Sequence, residues 1–314
     1  MEPTSGSLDT AGDELVIDLT TQRVAPAEID LWAPEWREPE YLASAIADLR
    51  FQFGSPTQRY GVYFLEGRDR RSGLGRAVEV ERFADAFDND SSTLRDLYAD
   101  FEDNGATEFI CVVDHEEGVP AGVIRTVRNT ADRSCRTLID LQADGENGWG
   151  LTWDEIVERS SFAAQRPEDI TDIPTAAVAK AYQGAARADG VSKALYAALL
   201  QRALGSDANT WVCMLDRIPY ILIQAVGRDV MNEFTGVAGK PYYGAEDTVP
   251  LWANFREYES YIRRDHPDAH ALLVRSEGLL DQYFFGFPDG PPTWEPLDPE
   301  VIDLRMYEPV PESR

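Results

Sequence analysis

The stretch "ARADGVSKALYAALLQRAL", residues 186–204, decides the reading of this chain. Val191, Leu195, Ala198, Leu199 and Ala203 recur at spacings of three and four, the apolar stripe of a helix. The turn Arg187-Ala188-Asp189-Gly190 precedes it, and "ITDIPTAAVAKAY" (170–182) before that reads as a strand. From Lys180 to Arg202 there are four basic residues (Lys180, Arg187, Lys193, Arg202) and one acid, Asp189, in a chain of formal net charge −27. A helix N-terminus leaves about four backbone N–H groups unpaired at the positive end of its dipole. A glycine there allows close approach, and a phosphate is the natural guest. Arg187 and Lys193 stand to flank such an anion, and the Ser192 hydroxyl to donate to it. The plainer reading makes Ser192 a helix cap on a solvated basic face. The order strand, turn, helix and the local reversal of charge favour the anion.

Composition bounds the rest. A chain of 314 residues, 43% hydrophobic, is long enough to bury one large core or two modest ones. No apolar run approaches the roughly 18 residues of a membrane span. The start, "MEPTSGSLDTAGDE", has neither a basic nor an apolar signal region, so the expected location is cytoplasmic. The charge repels nucleic acid and anionic membranes, and the 180–202 cluster is too small for a nucleic-acid stripe. Cys111, Cys135 and Cys213 are odd in number and widely spaced, which argues against a disulfide framework or a cysteine zinc site. Cys111 and Cys213 lie in apolar runs as buried thiols. His266 and His270 are four apart, but Pro267 lies between them and no third ligand is near, so no metal is expected. His115 falls in a hairpin turn, and no Ser/His/Asp set is visible in the order of residues.

The pattern along the chain is mixed α/β. Residues 1–56 read as an acidic arm with little core of its own, dispensable for folding, whose Trp32 and Trp36 pack back before a short helix. Residues 57–275 form the main domain, and 276–314 a proline-rich extension with seven prolines from Pro288 onward. "YGVYFLEG" reads as a strand, "AVEVERFADAF" and "STLRDLYADFED" as helices, the second capped by Ser92 or Thr93. "EFICVVDHEEGVPAGVIRTVRN" is a hairpin turning at Gly118. "RTLIDLQA" is expected as a strand and "LTWDEIVERS" as a helix opened by a Thr152–Glu155 capping box. "NTWVCMLD" and "TVPLWANF" read as strands; "IPYILIQAVG", "REYESYIRRD" and "PDAHALLVRSEG" as helices.

The hairpin, the strand "TAAVAKAYQG", the loop and helix at 186–204 and the strand "TWVCMLD" together resemble a GNAT acyltransferase, in that order and spacing. More narrowly the chain is similar to the branch of acyl-homoserine lactone synthases and long-chain N-acyl amino acid synthases. Gly122 to Arg125 in "AGVIRTV" resembles that branch's G-x-x-R strand, and "GVAGKPYYGAEDTVPLW" its C-terminal strands. The resemblance spans roughly residues 60 to 255. It implies a mixed central sheet flanked by helices on both faces. It also implies an N-acyltransferase that moves an acyl group from acyl-CoA, or a phosphopantetheine-bound acyl group on an acyl carrier protein, to a small-molecule amine. The donor would lie against Val178, Lys180, Arg187, Asp189, Gly190, Val191, Ser192 and Lys193, with backbone N–H groups from about Ala177 to Ala179 stabilising the thioester oxygen. Asp172 is the implied base, Asp216 a second carboxylate at the amine or a helix cap, and Arg125 a holder of an acceptor carboxylate.

The chain also departs from the pattern. Ser192 replaces the family's Gly or Ala, and "QGAARADG" is long enough for the turn to begin at Gln183-Gly184 or at Arg187. The family's tyrosine falls at Ile223, with Tyr220 one turn earlier. Asp172 and Thr175 stand where autoinducer synthases carry Glu and Arg, which argues against homoserine lactone as product. Two readings from other classes stay open: a GNAT-like module that binds acyl-CoA or an effector without turnover, and a structural protein with a degenerate core.

Overall fold

The computed structural model describes residues 30–87, 90–130, 134–160, 169–183, 190–206, 208, 210–227 and 229–297. The chain runs through α1 (Pro39–Gln52), β1 (Tyr60–Glu66), α2 (Gly73–Phe87), α3 (Ser91–Asp103), β2 (Thr107–Asp114) and β3 (Val119–Arg128). It continues through α4 (Arg136–Gln142), α5 (Trp153–Ser160), β4 (Ile170–Val178), α6 (Val191–Leu204), β5 (Thr210–Asp216) and α7 (Arg217–Gly227). It closes with β6 (Asn232–Glu233), β7 (Lys240–Tyr242), β8 (Ala245–Asn254), α8 (Phe255–Asp265), α9 (Pro267–Leu273) and β9 (Tyr283–Gly286). Among the described residues the strands make one sheet in the order β6-β8-β5-β4-β3-β2-β1-β9, with β7 on β8. Only β4–β5 and β1–β9 run parallel. This is the expected mixed sheet between helices.

The two faces follow from side-chain alternation along the strands. On β3, Arg125 points to α2 and α3, where Glu79 and Glu102 meet it, and its neighbour Ile124 points to the opposite face with α6. Leu94, Tyr98, Leu138, Leu141 and Ile156 from α3, α4 and α5 pack on Val127, Ile170 and Val212. Leu195, Ala198 and Leu199 of α6 join Tyr258 and Ile262 of α8 and Trp211 and Cys213 of β5. Gly122 is where α6 comes closest: a Cβ there would stand 2.8 Å from Val191 Cγ1, so only glycine admits the helix.

Several expectations change. "RTLIDLQA" is helix α4, because Leu138 and Leu141 face the core three apart while Ile139 is exposed. The cap of α3 is Asp90, which accepts from the Thr93 N–H at 2.9 Å, one residue before the run that holds Ser92 and Thr93. The Thr152–Glu155 capping box forms as read, with both reciprocal bonds present. The arm and the extension contribute to packing. Leu42, Ala45, Ile46 and Leu49 of α1 are buried in the same cluster as β1, Trp32 lies over the Arg76 guanidinium, and β9 pairs with β1. From Leu31 onward the arm therefore packs with the core, and every described element belongs to the compact unit that begins there. No described helix is long and apolar enough to cross a membrane.

Candidate active site

β4 and β5 pair only at their beginnings, through Ile170↔Thr210, Thr171↔Trp211 and Asp172↔Val212. Beyond that point β4 stays with β3 and β5 with β8, so the two strands part. Pro174 and the register shift between Arg125 and Val127 fall at the parting, and a strand proline has no N–H to offer a neighbour. The gap opens into a cavity of about 750 Å³, within the range of small-molecule sites. A smaller apolar cavity of about 70 Å³ adjoins it, sharing Pro174, Ala176, Met214, Leu215 and Val226.

The backbone of β4 is turned toward the gap at defined places. Ala179 donates its N–H to the Ala121 carbonyl at 2.9 Å, and Gly122 stands opposite Val178. Antiparallel pairs alternate between bonded and non-bonded, so the N–H groups of Val178 and Ala176 point away from β3, toward the gap. The expected donor at Ala179 is thus already used, and the set is Val178 with Ala176. Gln183 Nε2 donates to the Val178 carbonyl at 2.7 Å, which fixes that peptide.

At the same gap α6 begins. Gly190 is its N-cap, at φ +75° and ψ 20°, and no side chain caps the helix. That left-handed conformation suits glycine and leaves the first N–H groups facing the cavity, which Gly190, Val191, Ser192 and Lys193 all line. Ser192 is inside the helix rather than its cap. Arg187 and Asp189 lie outside the described residues. Lys180 is exposed, pairs with Asp85 at 3.1 Å and is not among the residues that line the cavity.

The two proposed carboxylates part company. Asp216 is half-buried at the end of β5 and lines the cavity, accepting from Thr248 Oγ1 at 2.7 Å. Burial raises its pKa, the Thr248 bond opposes that, and nearby Asp247 adds to it. Asp172 is fully buried, and Thr137 occupies it through both its N–H (2.9 Å) and its hydroxyl (2.8 Å). Thr137, not Asp172, reaches the cavity wall. Burial drives the Asp172 pKa up to about 7 against those two bonds.

That shift makes a stability prediction. Between the ordinary aspartate value and about 7, folded Asp172 holds a proton that the unfolded chain has lost. Its contribution is therefore complete at low pH and declines as pH rises through this window, by at most about 1.4 kcal/mol per unit. Asp172→Asn is expected to melt with a smaller loss between about pH 5 and about pH 8 than the wild type. Equal losses in the two proteins would remove Asp172 as the source.

Arg125 is the clearest correction. It is completely buried, bonded to Glu79 at 2.8 and 2.6 Å and to Glu102 at 2.6 Å, with Arg76 on the other oxygen of Glu102 at 2.6 Å. The rings of Tyr98 and Phe109 lie against its guanidinium at 4.5 Å. Burial lowers its pKa, but the two carboxylates outweigh that and hold it above its ordinary value. It does not line the cavity and has no nitrogen left for an acceptor.

The sequence reading missed Arg82, Arg136, Tyr242 and Tyr243, which line the cavity from α2, α4 and the β7–β8 turn. The helix "RTLIDLQ" would have revealed Arg136 had it not been read as a strand. The family's tyrosine position, Ile223, lies in the small apolar cavity, and Tyr220 reaches neither cavity. The described residues hold no group of three or more metal-ligating side chains. His270 bonds Glu259 and His266 bonds Tyr261.

No family model and no curated protein matches this chain. Solved structures do. One is FeeM, an N-acyl amino acid synthase from uncultured soil microbes, at 17% identity and TM-score 0.43, over 65% of this chain and 94% of that one. Another is BjaI, a CoA-dependent acyl-homoserine lactone synthase with SAM and isopentyl-CoA, at 11% identity and TM-score 0.42, over 72% and 93%. A third is spermidine N-acetyltransferase from Vibrio cholerae with CoA and spermine, at 11% and TM-score 0.38, over 64% and 98%.

Proposed function

We propose that this chain is a GNAT-type N-acyltransferase that moves an acyl group from acyl-CoA to the amine of a small molecule. One observation carries the reading: β4 and β5 part beside the uncapped N-terminus of α6 and enclose one large cavity. Acyl transfer from a thioester needs an aligned amine, a proton acceptor and N–H groups for the developing oxyanion. Each has a candidate at the gap. The donor's phosphates sit at Gly190 to Lys193, on the N–H groups of the first turn. Its thioester lies along β4, where the Val178 N–H, with that of Ala176, meets the carbonyl oxygen. The acyl chain enters the small apolar cavity beyond Pro174 and Met214.

Asp216 is the base in this reading, in place of Asp172. Its raised pKa brings a carboxylate nearer the working pH, which suits proton acceptance from an ammonium. The neutral amine attacks the thioester carbon, the oxyanion collapses, the C–S bond breaks, and the proton that the acylated nitrogen sheds passes through solvent to the departing thiolate. An acyl carrier protein offers the same phosphopantetheine arm and is the alternative donor.

Thiol release from a panel of acyl-CoAs, with and without amines, tests this. Amine-dependent release is the expected result. Asp216→Asn is expected to slow the chemical step by about a hundredfold while leaving acyl-CoA affinity, read by calorimetry, unchanged. A variant as fast as the wild type would remove Asp216 from the mechanism. The second reading, a module that binds acyl-CoA without turnover, draws on Ile223 standing at the tyrosine position with no hydroxyl to protonate the leaving thiolate. It predicts acyl-CoA binding with no thiol release for any amine.

A further inference from the structure

The two sides of the main cavity differ. On the α6 side, Gly190 to Lys193 are accounted for by the donor. On the side of α2 and α3 the wall is largely aromatic: Phe83 and Phe87 from α2, Tyr98 from α3, Tyr242 from β7 and Tyr243 from the turn after it. The donor's phosphates, thioester and acyl chain leave these rings without a role.

The rings enclose one chamber. Phe83 and Phe87 are one helical turn apart and meet edge to face, with centroids 5.3 Å apart. Tyr242 and Tyr243 meet in the same way at 4.7 Å. Gly244 joins the two sets: at φ +92° it packs on the end of α2, where a Cβ would stand 3.0 Å from the Phe87 carbonyl oxygen. The hydroxyls are already engaged, Tyr242 donating to Asp140 at 2.5 Å and Tyr243 accepting from Arg136 Nη2. What these two side chains offer a ligand is the ring.

Asp216 lies on that same side. Trp211 and Cys213 of β5 pack with the α6 cluster, whereas Val212 and Met214 pack with the α3–α5 cluster. Alternation carries Asp216 to the face of Met214.

The charges of the wall then set the class of ligand. Among the described residues they are Arg82, Arg136, Lys193 and Asp216. Arg82 pairs with Asp85 at 3.4 Å and Arg136 with Asp140 at 2.8 Å, so each guanidinium has its own counter-charge. Lys193 stands at the donor's phosphates. Asp216 differs: it accepts from Thr248, forms no ion pair with a described residue, and has Asp247 near it as a second negative charge. A ligand that suits this chamber brings one positive charge for Asp216 and an aromatic body for the rings. A carboxylate on it would add a like charge with no unpaired arginine to meet it. A polyamine would bring several cations to a single carboxylate. An arylamine such as aniline is uncharged at neutral pH and would give Asp216 no partner, so the amine is linked to its ring through an alkyl chain.

We propose that the acceptor is an arylalkylamine without a carboxylate, its ring held among Phe83, Phe87 and Tyr243 and its amine at Asp216. This rests on the acyltransferase reading for the catalytic role of Asp216, but the chamber is testable without turnover.

The experiment uses four amines that differ by one feature each: 2-phenylethylamine, its saturated counterpart 2-cyclohexylethylamine, phenylalanine, which adds a carboxylate, and spermidine, which adds charge and lacks a ring. Thiol release at saturating acyl-CoA is read in the wild type, Phe83→Leu and Phe87→Leu. For the wild type, kcat/KM for 2-phenylethylamine is expected at least about tenfold above phenylalanine and spermidine. It should also stand about two- to tenfold above 2-cyclohexylethylamine. Each leucine variant should bring the ratio of phenyl to cyclohexyl toward parity. Phenylalanine, spermidine or the saturated amine used as well as 2-phenylethylamine overturns the proposal, and the wild-type panel decides this even where a variant fails to fold. So does a phenyl preference that survives in both variants, or an acyl-CoA affinity that falls in them as far as the amine's, which would make the rings a donor contact. If no amine gives turnover, the acyltransferase reading fails alone. Calorimetry of the four amines on the wild type and Phe87→Leu then decides the chamber by the same order, and no binding preference for 2-phenylethylamine overturns it.

Discussion

Gly190→Asp is expected to weaken acyl-CoA binding by at least about tenfold while leaving the protein folded. Gly190 caps α6 in the left-handed region, and its Cβ position has only ordinary contact, with Leu279 Cδ2 at 3.7 Å. Space is therefore not the obstacle; conformation and charge are. An L-residue in that conformation costs roughly 1–2 kcal/mol, less for Asp and Asn, whose short side chains tolerate it. Gly190→Asn carries the same shape without the charge and serves as the reference. The aspartate adds a carboxylate at the positive end of α6, where it satisfies the helix and competes with the donor's phosphates. Stability and binding should thus move in opposite directions: the Asp variant melts no lower than the Asn variant but binds acyl-CoA more weakly. Calorimetry and thermal melts on the two variants read both quantities. Equal acyl-CoA affinity in Asp, Asn and wild type would leave the basic cluster a solvated helix face and remove the main support for the proposed function.

The residues around 186–204 made much of the fold legible because their constraints are local. A stripe at three and four, a glycine before it and a β-branched run before that belong to one continuous segment. Gly122 was legible as part of a motif, and its reason is physical: it gives α6 room to approach β3 within contact of Val191. What the sequence hid was long-range. Arg125 lies inside the apolar run of β3 and Arg136 opens the short run of α4, and neither run says what its guanidinium meets. Only assembly shows that Arg125 faces two glutamates 46 and 23 residues away, while Arg136, held by Asp140 and Tyr243, lines the cavity. Asp172 was hidden for the same reason, since nothing near it in sequence announces Thr137, 35 residues earlier, as the group that occupies it. The short apolar run in α4 was ambiguous between strand and helix, and that ambiguity concealed the cavity's second cationic end.

Arg125→Ala is expected to cost about 3–5 kcal/mol of stability, enough to unfold many domains of this kind. The cost does not measure the strength of one ion pair. It arises because Glu79, itself 0% exposed, would lose both of its Arg125 bonds and be left as a buried charge. Glu102 would keep Arg76, so the damage concentrates on Glu79. The rings of Tyr98, Phe109 and Trp32 would also border the void left by the guanidinium. A paired change separates charge from cavity. Arg125→Met with Glu79→Gln refills the volume and removes the orphaned carboxylate together, so it should recover a large part of the loss. Urea denaturation midpoints of the three proteins give the comparison. If Arg125 instead held an acceptor's carboxylate, Arg125→Ala would fold within about 1 kcal/mol of the wild type and show only a raised KM. That result would overturn its placement in the core. The expected result keeps Arg125 as the buried counterion that ties α2 and α3 to β3, which leaves recognition of the acceptor to residues that reach the cavity.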